Sequence, residues 1–151
     1  MESSVISAQA GFTVAHISVQ TQHARQFVDI TDEVRSRIAG SSIREGIAVV
    51  SSRHTTAAIV VNEHEPELLK DLDRLLNELA PDGHAYAHDA VPCGPDEYPN
   101  GHAHCQALLL NTSASIPIPS GDLHLGRYQR IFLVELDQAR ARHVTLVVLG
   151  V

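Results

Sequence analysis

His102-Ala103-His104 is the sharpest local feature of the chain. On an extended segment, residues i and i+2 project from one face, so this spacing offers two imidazoles to a single cation or phosphate group. A metal needs further ligands, and the candidates are His88 with its neighbour Asp89, His54, and Glu63. The alternative is a pair of histidines titrating freely in a polar loop. Arg140 and Arg142 are also two apart near a strand start. They read either as surface ion-pair partners or as an anion clamp.

The chain carries 10 histidines, and most have plainer readings. His23, His64 and His84 lie among polar residues and read as exposed, His16 as a core or edge residue, and His143 as a structural hydrogen-bonding group at a strand start. His124, between Leu123 and Leu125, could face a pocket or water. Asp71 borders a leucine stripe and reads as a solvated helix acid, while Glu63, Glu65 and Glu67 precede or open a helix, where its dipole favours acids. No Gly-x-Ser-x-Gly elbow is present, and Cys93 and Cys105 read as small buried hydrophobes.

The elements that must position these residues follow from the apolar pattern. Residues 12 to 19 alternate with apolar side chains on both faces, as in a strand covered on two sides. Thr31, followed by Asp32 and Glu33, marks a helix start with a hydroxyl cap, and Gly40 is placed to end that helix at positive φ. Gly46 to Val61 is rich in β-branched residues and reads as two strands or one long one across Ser51-Ser52-Arg53-His54. Pro66 opens the clearest helix, in which Leu68, Leu69, Leu72, Leu75, Leu76 and Leu79 recur on one face until Pro81-Asp82-Gly83 stops it. Residues 81 to 102, punctuated by proline and glycine, read as a long loop, and loops of that length are more often functional than decorative. Ala107 to Leu110, Ser115 to Ile118, Leu123 to Leu125, Ile131 to Leu136 and His143 to Leu149 complete the expected strands, with the prolines of 113 to 119 suiting a sheet edge. Two helices with mostly adjacent strands favour an antiparallel α+β domain spanning residues 1–151.

Composition excludes whole classes of function. With 11 basic against 18 acidic residues, a net charge of −7, no basic excess exists to release phosphate counterions, so nucleic acid is an improbable partner. Aromatic content of 4% with no Trp argues against a stacking platform for bases. No apolar run reaches the ~20 residues of a membrane helix. Met1-Glu2-Ser3-Ser4 lacks a basic leader region, and the two cysteines form no disulfide framework, so the expectation is a soluble, cytoplasmic protein.

Seven blocks in order then resemble the YjbQ family: His54-Thr55-Thr56-Ala57-Ala58-Ile59, Asn62-Glu63, Tyr86-x-His88-Asp89, Asn100-Gly101-His102-Ala103-His104, Leu110-x-Thr112-Ser113, the run from Gly121 through Tyr128-Gln129 to Ile131, and Glu135-x-Asp137 with Arg140-x-Arg142. The resemblance runs from about residue 12 to the end of the chain. It implies a two-sheet antiparallel β sandwich flanked by helices, assembled as a homotrimer, with a pocket of histidines and acids that sometimes holds a metal. It also implies a weak thiamine-phosphate synthase activity, a transferase reaction, in some members. On that pattern His54, His88 and His104 would hold a divalent metal ion, Zn or Mg first. His102, Arg140, Arg142 and Glu63 would be the catalytic and phosphate-binding residues, and the ligand a small phosphorylated molecule. Asp71 matches a further recurring charged position. A metal-dependent phosphoester hydrolase and a non-catalytic ligand- or metal-binding protein are the competing readings. Two residues depart from the family's usual choices: Gly101 stands where Ala is usual, which should loosen the loop, and Tyr128 where Trp is typical.

Overall fold

A computed structural model describes residues 10–92, 94, 95 and 98–151. The N-terminal residues Met1-Glu2-Ser3-Ser4 and Cys93 therefore lie outside the described residues. Chain order is β1 (Gly11–Gln20), β2 (Gln26–Asp29), α1 (Thr31–Ala39), β3 (Gly46–Ser52), β4 (Ala57–Glu63), α2 (Pro66–Leu79), a 3₁₀ turn (Ala87–Ala90), α3 (Gly101–Leu109), β5 (Ser113–Ile118), β6 (Gln129–Glu135) and β7 (Ala141–Gly150). The strands form a four-stranded sheet, β1-β7-β3-β5, and a three-stranded sheet, β2-β6-β4, antiparallel throughout. As expected, the fold is α+β with two antiparallel sheets.

The sheets face each other across one aliphatic core. Ile17, Ala48, Val50, Ile116, Val144, Leu146 and Val148 from the first sheet meet Ala57, Ile59, Ile131 and Leu133 from the second, with Val34 and Ile38 of α1 closing the side. The second sheet is covered on its far face as well. Phe132, Val134 and Leu136 pack there with Ala58, Leu76 of α2 and Ala103 of α3. A central strand covered on both faces needs an unbroken apolar run, and β6 is that strand: Ile131, Phe132, Leu133 and Val134 are all buried.

Several expectations are corrected by tertiary context. The segment 101 to 109 is helical, so the described residues hold three α-helices; Ala107 to Leu110 closes α3 rather than forming a strand, and Leu123 to Leu125 is irregular. The helix docks because Gln106, fully buried, donates from Nε2 to the carbonyl of Ala80 at 2.9 Å, satisfying an acceptor past the end of α2. Strand β1 is covered on one face: Phe12, Val14, His16 and Ser18 stay exposed. Thr31 sits inside α1 rather than capping it; its hydroxyl donates to Asp29 (2.7 Å) and accepts from the Ile131 N–H (2.8 Å), tying the helix start to β6. Gly40 ends α1 at φ −76°, an ordinary helical value. On α2 the cap is Glu65, whose carboxylate accepts from the N–H groups of Glu67 and Leu68. Only part of its leucine stripe is covered, since Leu76 is buried while Leu75 and Leu79 are exposed.

Candidate functional site

Strands β3 and β4 belong to different sheets, so the link between them, 53–56, must cross from one sheet to the other at the sandwich's end. The hairpin-shaped turn joining β6 to β7, whose two strands lie in different sheets and do not pair, makes the same crossing beside it. These two crossings, the 3₁₀ turn and the start of α3 surround a cavity of about 440 Å³. Arg53, His54 and Thr56 line it from the first crossing, Asp137, Arg140 and Arg142 from the hairpin, His88 and Asp89 from the turn, and Asn100 and His104 from α3. Val91, Pro92, Tyr98 and Pro99 supply an apolar wall.

The floor is a buried ion pair. Glu135 and Arg142 have side chains 0% and 5% exposed. Arg142 donates from Nε to Glu135 Oε2 at 2.6 Å and from Nη2 to Glu135 Oε1, and Nη2 also reaches Thr56 Oγ1 at 3.0 Å. Burial alone would push the Glu135 carboxyl up, but the bonds from Arg142, the Asp137 N–H and Thr21 outweigh it and hold it below its ordinary value. Next along the hairpin, Arg140 donates to Asp137 at 2.7 Å, while its Nε is buried with no partner among the described residues. Asp137 in turn accepts from Asn100 Nδ2 at 3.2 Å, linking the hairpin to α3.

The histidines divide by their bonding. His54 Nε2 accepts the backbone N–H of His143 at 2.9 Å, and the two rings lie nearly parallel, 6.2 Å apart. An acceptor nitrogen carries no proton, so neutral His54 keeps its hydrogen on Nδ1. Burial and the positive charge of Arg142 lower its pKa, favouring that neutral form. His88 and His104 meet edge to face at 4.8 Å. Burial, then the neighbouring His88, lowers the His104 pKa as well. Asp89, beside them, is spent on the Gly101 N–H at 2.8 Å, which anchors the start of α3.

Of the residues expected at the site, His54, His88, His104, Arg140 and Arg142 converge on this cavity. His102 and Glu63 do not line it. In a helix, i and i+2 are separated by about 200°, so α3 turns His102 away from His104. His102 Nε2 instead lies 3.2 Å from Asp82. Glu63 closes β4 at the end opposite the first crossing, about 20 Å along the strand. Asp71 pairs with Arg74 on the exposed side of α2, and Cys105 is exposed. His124 stays exposed on an irregular stretch. Among the described residues, no three His, Cys, Asp or Glu side chains are grouped so as to hold a metal ion. His54 has Nε2 engaged by the His143 N–H, so Nδ1 is the nitrogen it could offer to a ligand. Arg53 had no signal in local spacing, and although Asn100, Glu135 and Asp137 fall in the family blocks, their roles depend on partners from other elements and were not readable from spacing.

Comparison with known proteins places these features in context. Residues 15–151 match a family model described as UPF0047 protein YjbQ-like. A UPF0047 protein of Methanothermobacter thermautotrophicus is 36% identical over 134 residues, covering 89% of this chain and 90% of that protein. Among solved structures, a protein of unknown function from Sulfolobus solfataricus superposes with a TM-score of 0.81 at 37% identity, covering 93% of this chain and 100% of that one. A hypothetical protein from Aeropyrum pernix gives 0.85 at 35% identity, covering 92% and 99%.

Proposed function

The chain belongs to the YjbQ family, and from that premise we propose that its cavity binds a small phosphorylated molecule and moves a proton in a reaction on it. The observation that carries this reading is the convergence of Arg53, Arg140 and Arg142 with three histidines on one cavity. A phosphate group calls for donors aimed at its oxygens and a compensating positive charge. Arg142 is matched by Glu135, so its charge is largely answered inside the protein. Arg140 shares one amino group with Asp137 and has an Nε without a partner among the described residues, and Arg53 is exposed, so these two carry the positive charge toward a ligand. His54, with its proton on Nδ1, acts as a neutral hydrogen-bond donor.

The reaction proposed for this site is thiamine-phosphate synthesis at a low level: a thiazole phosphate displaces diphosphate from a pyrimidine diphosphate. The departing oxygen gains a proton as it leaves, and the protonated form of His104, which burial and the neighbouring His88 make the minor species at neutral pH and the stronger acid, is the group placed to give it. That role moves from His102, whose ring faces Asp82. No step is routed through a metal; added Zn or Mg is a separate arm of the test. Assembly as a homotrimer belongs to the same reading, and the open face of β1, β3 and β7, with Phe12, Val14, Ile47 and Leu149 exposed, is the surface available to it. A cytoplasmic location is part of the same proposal; no helix among the described residues is long and apolar enough to cross a membrane.

Pyrophosphate and thiazole phosphate are to be titrated while melting is followed, then the two thiamine halves supplied together with and without Zn or Mg. Binding at 100 times Kd stabilises by ~2.7 kcal/mol, about 5–11 °C for a chain of this length. Arg140→Met and His104→Gln should each abolish most of that shift or of the coupling reaction. The reading fails if neither anion raises the melting temperature at millimolar concentration. Binding without coupling would leave a ligand-binding protein, and release of inorganic phosphate a hydrolase.

A further inference from the structure

We propose that Thr21, just beyond β1, is a positioning residue for both hairpin arginines, an inference that rests on the phosphate-binding reading of the cavity. Thr21 is 1% exposed and makes bonds to two different parts of the hairpin. Its backbone N–H donates to the Arg140 carbonyl at 3.0 Å, and its Oγ1 accepts the Arg140 N–H at 2.9 Å. The same Oγ1 lies 2.9 Å from Glu135 Oε2 and 3.0 Å from the Arg140 carbonyl oxygen. A hydroxyl has one proton to give, and an ionised carboxylate is a stronger acceptor than an amide carbonyl. The proton therefore goes to Glu135, leaving the carbonyl to the backbone N–H.

Glu135 Oε2 is the atom that also receives Arg142 Nε at 2.6 Å. Thr21 thus holds the carboxylate that orients Arg142 while clamping, on both sides, the peptide units that carry Arg140. A merely structural Thr21 would close the end of β1 against β7 through its backbone bond alone. The hydroxyl adds a link to the cavity floor that the backbone cannot make.

The test separates these roles. Thr21→Val keeps the shape and removes the hydroxyl, Thr21→Ser keeps the hydroxyl, and Thr21→Ala serves if the valine variant does not fold. Each is measured by melting, by pyrophosphate titration and by the NMR signal of Arg142 Nε–H. The expected result is a shifted or broadened Arg142 signal and about tenfold weaker pyrophosphate binding in Thr21→Val or Thr21→Ala, with Thr21→Ser within about twofold of the parent, the scale of one lost hydrogen bond to a charged group. A lower melting temperature with unchanged affinity and an unchanged Arg142 signal would overturn the proposal and leave Thr21 structural. If the parent protein binds no pyrophosphate, the functional reading fails by itself, and the Arg142 signal still decides whether Thr21 orients that arginine.

Discussion

Replacing Arg142 by methionine removes the guanidinium from a carboxylate that is 0% exposed, and the consequence can be worked from the geometry. Glu135 would keep its bonds from Thr21 and the Asp137 N–H but lose the only cation in contact with it among the described residues. Breaking a buried pair by removing one partner costs about 3–5 kcal/mol, because the survivor is left charged and desolvated. For a chain of this length each kcal/mol moves the melting temperature by roughly 2–4 °C, so a fall of about 6–20 °C is expected. The pH dependence is the sharper readout. In the parent protein the Glu135 pKa is lowered, so its contribution is present above the ordinary carboxyl value of 4.5 and is lost as pH falls below it. Without Arg142, burial raises that pKa above its unfolded value, and the sign of the Glu135 contribution reverses: relative to a double variant that also lacks the carboxylate, it is most favourable at low pH and declines as pH rises through the new value. A second change, Glu135→Leu on the Arg142→Met background, should recover most of the loss, since a packed apolar pair removes the desolvation cost. Melting curves from pH 4 to 8 on both single variants and the double decide the matter. A loss below about 1 kcal/mol for Arg142→Met, or no decline with pH in Arg142→Met relative to the double variant, would refute the reasoning.

Three further outcomes follow from separate parts of the structure. Asp29 accepts from Arg130, His64 and Thr31, and despite burial these bonds hold its pKa at about 2 against an ordinary 3.8; Asp29→Asn should cost ~2 kcal/mol at neutral pH, and the parent should lose that increment as pH falls from about 4 toward 2, both read by denaturant melts. Gly101, where a loosened loop was expected, is buried, and an added Cβ would lie 2.4 Å from Cβ of Tyr86, so Gly101→Ala should destabilise by ~1–3 kcal/mol in thermal melts rather than tighten the segment. His54 and His104 both have lowered pKa values, so their neutral forms are favoured by folding; the stability they contribute is full above pH 6.5 and lost as pH falls below it, and His54→Gln with His104→Gln should flatten that part of a melting profile.

Much of the frame was legible in residue order because its signals are local. Pro66 and the leucine spacing marked α2, Pro66–Leu79, the prolines of β5 marked a sheet edge, and the apolar run of β6 marked a strand, while coverage on both faces was expected of β1 and belongs to β6. Histidines 54, 88 and 104 and the two arginines were candidates from residue type and spacing, the family blocks grouped them, and all five line one cavity. What residue order misjudged depended on phase and partners. A Gly-His-Ala-His segment just after a proline-rich stretch looks extended, yet it is helical because Gln106 and Ala103 have α2 and β6 to pack on, and that helical phase sends His102 to Asp82 and His104 to His88. Glu63 adjoins an expected strand just as His54 does, but the two stand at opposite ends of β4, and only one end opens on the cavity. Glu135, Arg142 and Thr21 are one network assembled from positions up to 121 residues apart, and the buried charge became tolerable only when all three arrived together. Sequence by itself therefore determined which segments bury apolar surface and which residue types are at hand, because those depend on neighbours along the chain. Which side chains share a cavity, which nitrogen of His54 is free and which arginine keeps an unmatched charge were decided by the tertiary structure, because hydrogen bonding and desolvation depend on neighbours in space.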